Sequence, residues 1–187
     1  MKELLDFWFA EGLGTWRRAW FVRDPAFDAE LGARFATLAD AAANGAHDEL
    51  ADTPEGALAL ALLLDQLPRN LHRGSPAAFA QDAKARDLAR RAVLARGFDR
   101  ALPPAAATFL YLPFEHSEAL ADQNVAVALF EGMRDVRAMA APGGAIDYAW
   151  RHRAVILRFG RFPHRNAALG RVSTAAEEAW LAAGGGF

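Results

Sequence analysis

Thr53-Pro54-Glu55-Gly56-Ala57-Leu58-Ala59-Leu60-Ala61-Leu62-Leu63-Leu64-Asp65-Gln66-Leu67 is the stretch on which the fold turns. Thr53 offers a side-chain oxygen to the first unpaired amides of a helix. Pro54 suits the first helical position, where its missing amide costs nothing. From about Glu55 to Leu67 the apolar residues point in every direction round a helix, so the segment reads as a buried central helix. Its longest apolar run, residues 57–64, is far short of the roughly 20 residues a membrane span needs.

The pairing of a capping side chain with proline recurs at Asp24-Pro25 and Ser75-Pro76, and Thr174-Ala175-Ala176-Glu177 has capping-box spacing. Each predicts a helix start. Behind the first, Phe27, Leu31, Phe35 and Leu38 fall on one face before Asn44-Gly45 ends the helix. Leu88, Ala92 and Val93 mark another, closed by Gly97. Pro103-Pro104 opens a helix carrying Phe109, Leu110 and Leu112, which Pro113 is expected to kink or end. A helix over 118–137 follows, up to the breaker Pro142-Gly143-Gly144. Ile146, Trp150, Ala154 and Leu157 are then expected to line the inner face of a helix ending at Gly160. The last helix covers 175–183, and the tail from about 184 is expected to fray. With a short first helix carrying Leu4, Leu5, Trp8 and Phe9, the expectation is one all-α domain over 1–187. It is built of about eight or nine helices joined by short loops and packed antiparallel.

Composition supports this reading. The chain has only two isoleucines, seven valines and five threonines, and no stretch alternates apolar and polar residues long enough for a strand. Its 187 residues carry a net charge of −2, which gives no field for steering onto nucleic acid or an anionic membrane. With no cysteine, disulfides, thiolate catalysis, iron–sulfur clusters and thiolate zinc sites are excluded. Acids stand among the first six residues, where a secretory leader would begin its apolar core, so a cytoplasmic location is expected.

Three segments concentrate the polar chemistry. Residues 115–118 hold Glu115, His116 and Glu118 after the proline-disturbed helix, so Glu115 could orient His116 as a general base. Alternatively these residues cap the next helix and pair with arginines. Residues 158–171 gather Arg158, Arg161, His164, Arg165, Asn166 and Arg171, a set suited to a carboxylate or phosphate. The competing reading is that these arginines pair with Glu115, Glu118, Asp65 or Glu177 and fasten helices together. Leu67-Pro68-Arg69-Asn70 echoes Phe162-Pro163-His164-Arg165-Asn166 with one residue inserted, ~95 residues apart, by degenerate duplication or by chance. No histidine has an acidic residue three positions before it and no His-x-x-x-His occurs, so no metal site is expected; with no phosphate-binding Gly-rich loop and no dinucleotide fingerprint, no cofactor is expected either. His152 reads as a packing histidine, and His47 and His72 as loop residues. The aromatic N-terminus (Phe7, Trp8, Phe9, Trp16, Trp20, Phe21) seals one end of a core or forms a homodimer contact.

Taken with Leu5-Asp6-Phe7-Trp8-Phe9, Trp16 to Phe21, residues 63–70, residues 109–118, His152-Arg153 and the closing run Phe159-Gly160-Arg161-Phe162-Pro163-His164-Arg165-Asn166 with Gly170-Arg171 and Ser173-Thr174, the chain resembles a known bacterial family. It is the family catalogued as domain of unknown function 924, and the resemblance covers essentially the whole length. The resemblance implies a tetratricopeptide-like α–α superhelix and brings no known activity or catalytic residues. The leading expectation is a binding module whose polar segments converge on one cavity. There Arg69, Asn70, Glu118, Arg161, Arg165 and Asn166 would hold a peptide or small anionic ligand. The alternative is a small cofactor-independent enzyme with His116 or His164 as acid–base, Glu115 beside it, and arginines on the substrate.

Overall fold

The computed structural model describes residues 1–187, and every regular element in it is helical. Two compact units are formed: Met1–Arg73 with Ala77–Pro113, and Gly74–Pro76 with Phe114–Phe187.

The first unit begins with α1 (Lys2–Trp8) and a 3-10 turn at Arg18–Trp20. Helix α2 (Pro25–Ala43) starts where Asp24 accepts from the amides of Ala26 and Phe27, and it turns Leu31 and Phe35 inward. Helix α3 (Pro54–Ala61) is capped by Thr53 through the Gly56 amide. It widens into a π turn at Leu62–Gln66 and continues as α4 (Leu67–Leu71). From Ala57 to Leu64 nothing is exposed, the all-round burial that the apolar pattern demands. Pro68 sits inside this run without breaking it. The Leu67 amide reaches back to the Leu62 carbonyl, and the wider turn takes up the backbone that a proline would otherwise strain.

Ser75-Pro76 opens only a 3-10 turn, Pro76–Phe79, and the next helix, α5 (Asp82–Ala89), starts later than its sequence signal. A second π turn, Arg90–Ala95, leads to Gly97, left-handed at φ 65° as a helix stop requires. In this unit α2 packs on α4 and α3 on α5. The N-terminal aromatics close its core around Phe109: Trp20 lies edge-on at 5.0 Å and Trp8 at 5.5 Å. Trp20 Nε1 and Arg17 Nη1 both donate to the Trp8 carbonyl at 2.8 Å. Trp16 and Phe21 stack on each other at the surface of this cluster.

Helix α6 (Pro104–Glu115) passes through Pro113 and ends two residues later, so the proline lies inside the last turn and does not stop the helix where it stands. The second unit continues with α7 (Leu120–Glu131), shorter at both ends than the expected 118–137 helix. The four-residue α8 (Arg137–Ala140) takes up its far end. Helix α9 (Ala145–Phe159) packs on α7 and α8, and Gly160 ends it at φ 70°. Its inner face is Ile146, Ala149, His152, Val155 and Ile156, whereas Trp150, Ala154 and Leu157 are exposed. Ile146 is inward as expected; the rest of the expected face was displaced, drawn toward the large side chains. Trp150 instead donates its indole N–H to Glu131 at 2.7 Å on the surface. A 3-10 turn at Pro163–Arg165 packs on α10 (Ala175–Ala182), where Thr174 and Glu177 form the capping box read from the sequence.

Candidate functional site

The end of α6 creates the site in the second unit. A helix finishing beside a proline leaves several carbonyls without amide partners, and the negative end of its dipole with them. Buried Gln123 on α7 reaches this end: its Nε2 lies 2.6 Å from the carbonyls of Glu115, the last residue of α6, and Ser117 just beyond it. Arg165 Nη1 donates to the His116 carbonyl at 2.9 Å, with its guanidinium over the Phe162 ring at 4.5 Å. Ser117 accepts from the Ala119 amide and donates to Asp122 Oδ2, tying the turn before α7 to its first turn. The carbonyls of Glu115, His116 and Ser117 are thus taken up within the unit.

Glu118 binds Arg171 through both oxygens (2.7 and 2.9 Å) and accepts from the Phe162 amide at 2.8 Å. Burial alone would raise its carboxyl; Arg171 and the amide outweigh that and hold it below the ordinary range. Arg161 forms an equivalent fork on Glu177, at 2.7 and 2.8 Å. That pairing and the Thr174 backbone hold Glu177 well down, to about 2. Asn166 ties the two forks together: it accepts from Arg171 Nε and donates to Ser173 Oγ and, at 3.5 Å, to Glu177. Glu118, Arg161 and Asn166 therefore sit in a hydrogen-bonded clasp. Arg69 and Asn70 belong to the first unit, where Arg69 pairs with Asp65 and Asp82, and Asn70 donates to Asp28.

Beside the clasp lies a cluster of imidazoles. His116 and His152 have ring centres 6.3 Å apart, and Phe162 stands 5.5 Å from both His152 and His164. His152 Nδ1 is 2.8 Å from the Tyr148 carbonyl and 3.3 Å from Glu115 Oε1. Both neighbours are acceptors, which assigns the proton to Nδ1 and leaves the lone pair on Nε2. The carboxylate expected to orient His116 thus lies against His152. Burial first, then His116, Arg165 and His164, push His152 far below an ordinary imidazole. His164 is lowered to about 4, by packing and by Arg165, His116 and Arg171, although part of its ring meets solvent. At neutral pH both rings are uncharged. The tail from Gly184 turns back over this cluster, and Phe187 stacks on His152 at 3.6 Å and 11°.

His152 and Phe187 are the members that sequence reasoning set aside. A helical face drawn through Ile146, Ala149 and Val155 places His152 inward, and the Gly-Gly-Gly preceding Phe187 was read as slack chain.

The profile of a family described as "Bacterial protein of unknown function (DUF924)" matches residues 4–185. The chain belongs to the DUF924 family. This DUF924 chain is similar to the solved structure of the protein of unknown function ATU0120 from Agrobacterium tumefaciens. The two share 38% identity over 96% of this chain and 95% of that one, with a TM-score of 0.86. No curated protein matches it. No helix in it is long and apolar enough to cross a membrane.

Proposed function

We propose that the second unit is a binding module for a small anionic ligand, held at His116, His152, His164 and Arg165. The observation that carries this reading is the gathering of His152, His164 and the buried Arg165 guanidinium around the Phe162 ring, with His116 6.3 Å from His152. His152 and His164 stay neutral because burial and neighbouring cations penalise their charge. An anion placed among them would remove that penalty, and protons would be taken up as it binds. The clasp of Glu118, Arg161, Asn166, Arg171 and Glu177 keeps its own charges paired and holds the 161–166 turn in place.

A second reading rests on the Glu115–His152 contact. A carboxylate beside Nδ1 and a bare Nε2 form the orienting half of an acid–base pair. In an enzyme without a cofactor, His152 would join His116 or His164 in moving a proton while Arg165 holds the substrate.

A thermal-shift titration with inorganic phosphate and with acetate tests the binding reading, on the native chain and on Arg165→Lys. Saturation at 100 times the dissociation constant adds about 2.7 kcal/mol and raises the melting temperature visibly. Arg165→Lys, which keeps the charge but loses the fork, should bind roughly tenfold more weakly. A native chain that shifts with neither anion overturns the reading.

A further inference from the structure

The imidazole cluster is covered by a piece of the chain itself. Besides its stack on His152, the Phe187 ring lies edge-on to His164 at 5.6 Å and to Phe162 at 6.1 Å, with Tyr148 6.5 Å away. Four rings thus surround one that is still 48% exposed. The surroundings have the form of a slot for a flat ring: a buried, neutral imidazole face as the floor and aromatic edges as walls.

The path that brings Phe187 there is built for glycine. Gly184 and Gly186 have φ of 83° and 142°, which L side chains rarely adopt. Gly185 donates its amide to the Trp180 carbonyl, and a Cβ on it would fall 2.3 Å from the indole. A three-glycine strap seated on Trp180 thus carries a single ring into the slot. A contact of this kind, half open to solvent and tethered through glycines, is replaceable. The effective concentration of so short a tether is on the order of millimolar, which a free ligand can overcome.

We propose that the slot over His152 takes the aromatic ring of a small carboxylate ligand, and that Phe187 is the chain's own occupant, displaced when that ligand binds. This names the ligand class for the anionic site proposed above and rests on that reading. The ring would stack on His152 and the carboxylate would meet Arg165 and the flanking imidazoles.

The test uses three probes on the full chain: benzoate, with ring and charge; acetate, with charge alone; and benzyl alcohol, with the ring alone. Binding is followed by the His152 and His164 ring resonances in NMR titrations. Phe187→Ala removes the occupant, and Gly185→Ala forces strap and indole apart while keeping the ring. Both variants should bind benzoate roughly two- to tenfold more tightly than the native chain and leave acetate affinity unchanged. Acetate binding with equal benzoate affinity in all three proteins overturns the slot and leaves the anion reading standing. Benzyl alcohol binding that tightens in both variants, without acetate binding, keeps the ring slot and overturns the anion reading. No response to any probe overturns both.

Discussion

Leu67-Pro68-Arg69-Asn70 in the first unit and Phe162-Pro163-His164-Arg165-Asn166 in the second share a proline followed by arginine and asparagine, and the chain uses them differently. In the first, the string lies within a helix. Arg69 reaches Asp65 one turn back and Asp82 beyond it, while Asn70 donates to Asp28, which Arg73 also binds. In the second, Pro163 opens a 3-10 turn. There Arg165 donates to a backbone carbonyl across a phenylalanine ring, and Asn166 joins a clasp between two Arg–Glu forks. An arginine takes its role from what the backbone sets before it. Carboxylates before Arg69 make a bolt, whereas Arg165 meets a helix end, a phenylalanine ring and imidazoles, the setting of the ligand site proposed above.

The largest expected effect tests the bolt. Arg69→Ala removes an ion-pair partner of Asp65, which has no exposure to solvent. Removing one partner of a buried pair costs about 3–5 kcal/mol, readable from denaturant unfolding. A loss under about 1 kcal/mol would erase the contrast drawn here.

Acid should separate the two regions next. His152 has a folded pKa far below its ordinary 6.5, so the unfolded chain takes up protons first as pH falls. Stability is complete above about pH 6.5. Below it, His152 contributes a loss of about 1.4 kcal/mol per pH unit until its folded pKa is reached. His164, partly in solvent, adds a smaller share in the window from 6.5 to about 4. Asp28 in the first unit is a lowered carboxyl, despite burial that opposes the shift, because Arg73 and Asn70 bind it. Its contribution holds until pH drops below 3.8. Hydrogen exchange at pH 7 and pH 5 should show protection falling around residues 145–166 while residues 62–73 are spared. Equal loss in both would break the distinction.

Much of the architecture was legible from the sequence because caps and prolines act locally. Thr53, Asp24 and the Thr174–Glu177 box each start a helix where their side chains can reach the first amides. The inner face of α9 was misread because Trp150 and Leu157 carry the larger apolar surfaces, yet Trp150 satisfies its indole on surface Glu131. Arg161, Glu118 and Glu177 were readable as partners by charge alone. The Glu115–His152 contact and the ring of Phe187 on it were not, since both depend on which helix faces meet.

The smallest effect sharpens the clasp. Thr174→Ala removes one arm of the box that positions Glu177 for Arg161 and Asn166. A calorimetric or denaturant measurement should show a loss of about 1 kcal/mol. A loss as large as that of Arg69→Ala would mean that the second region is bolted as firmly as the first.

The π turn at Leu62–Gln66 has a further consequence. A widened turn holds one residue more than the α-helix around it, so everything after it lags by about 100° on a helical wheel drawn from Thr53. That lag aims Arg69 at Asp82 and Asn70 at Asp28. Uniform α winding would send both side chains off at another bearing, away from Asp82 and Asp28, with the same residues in the same order.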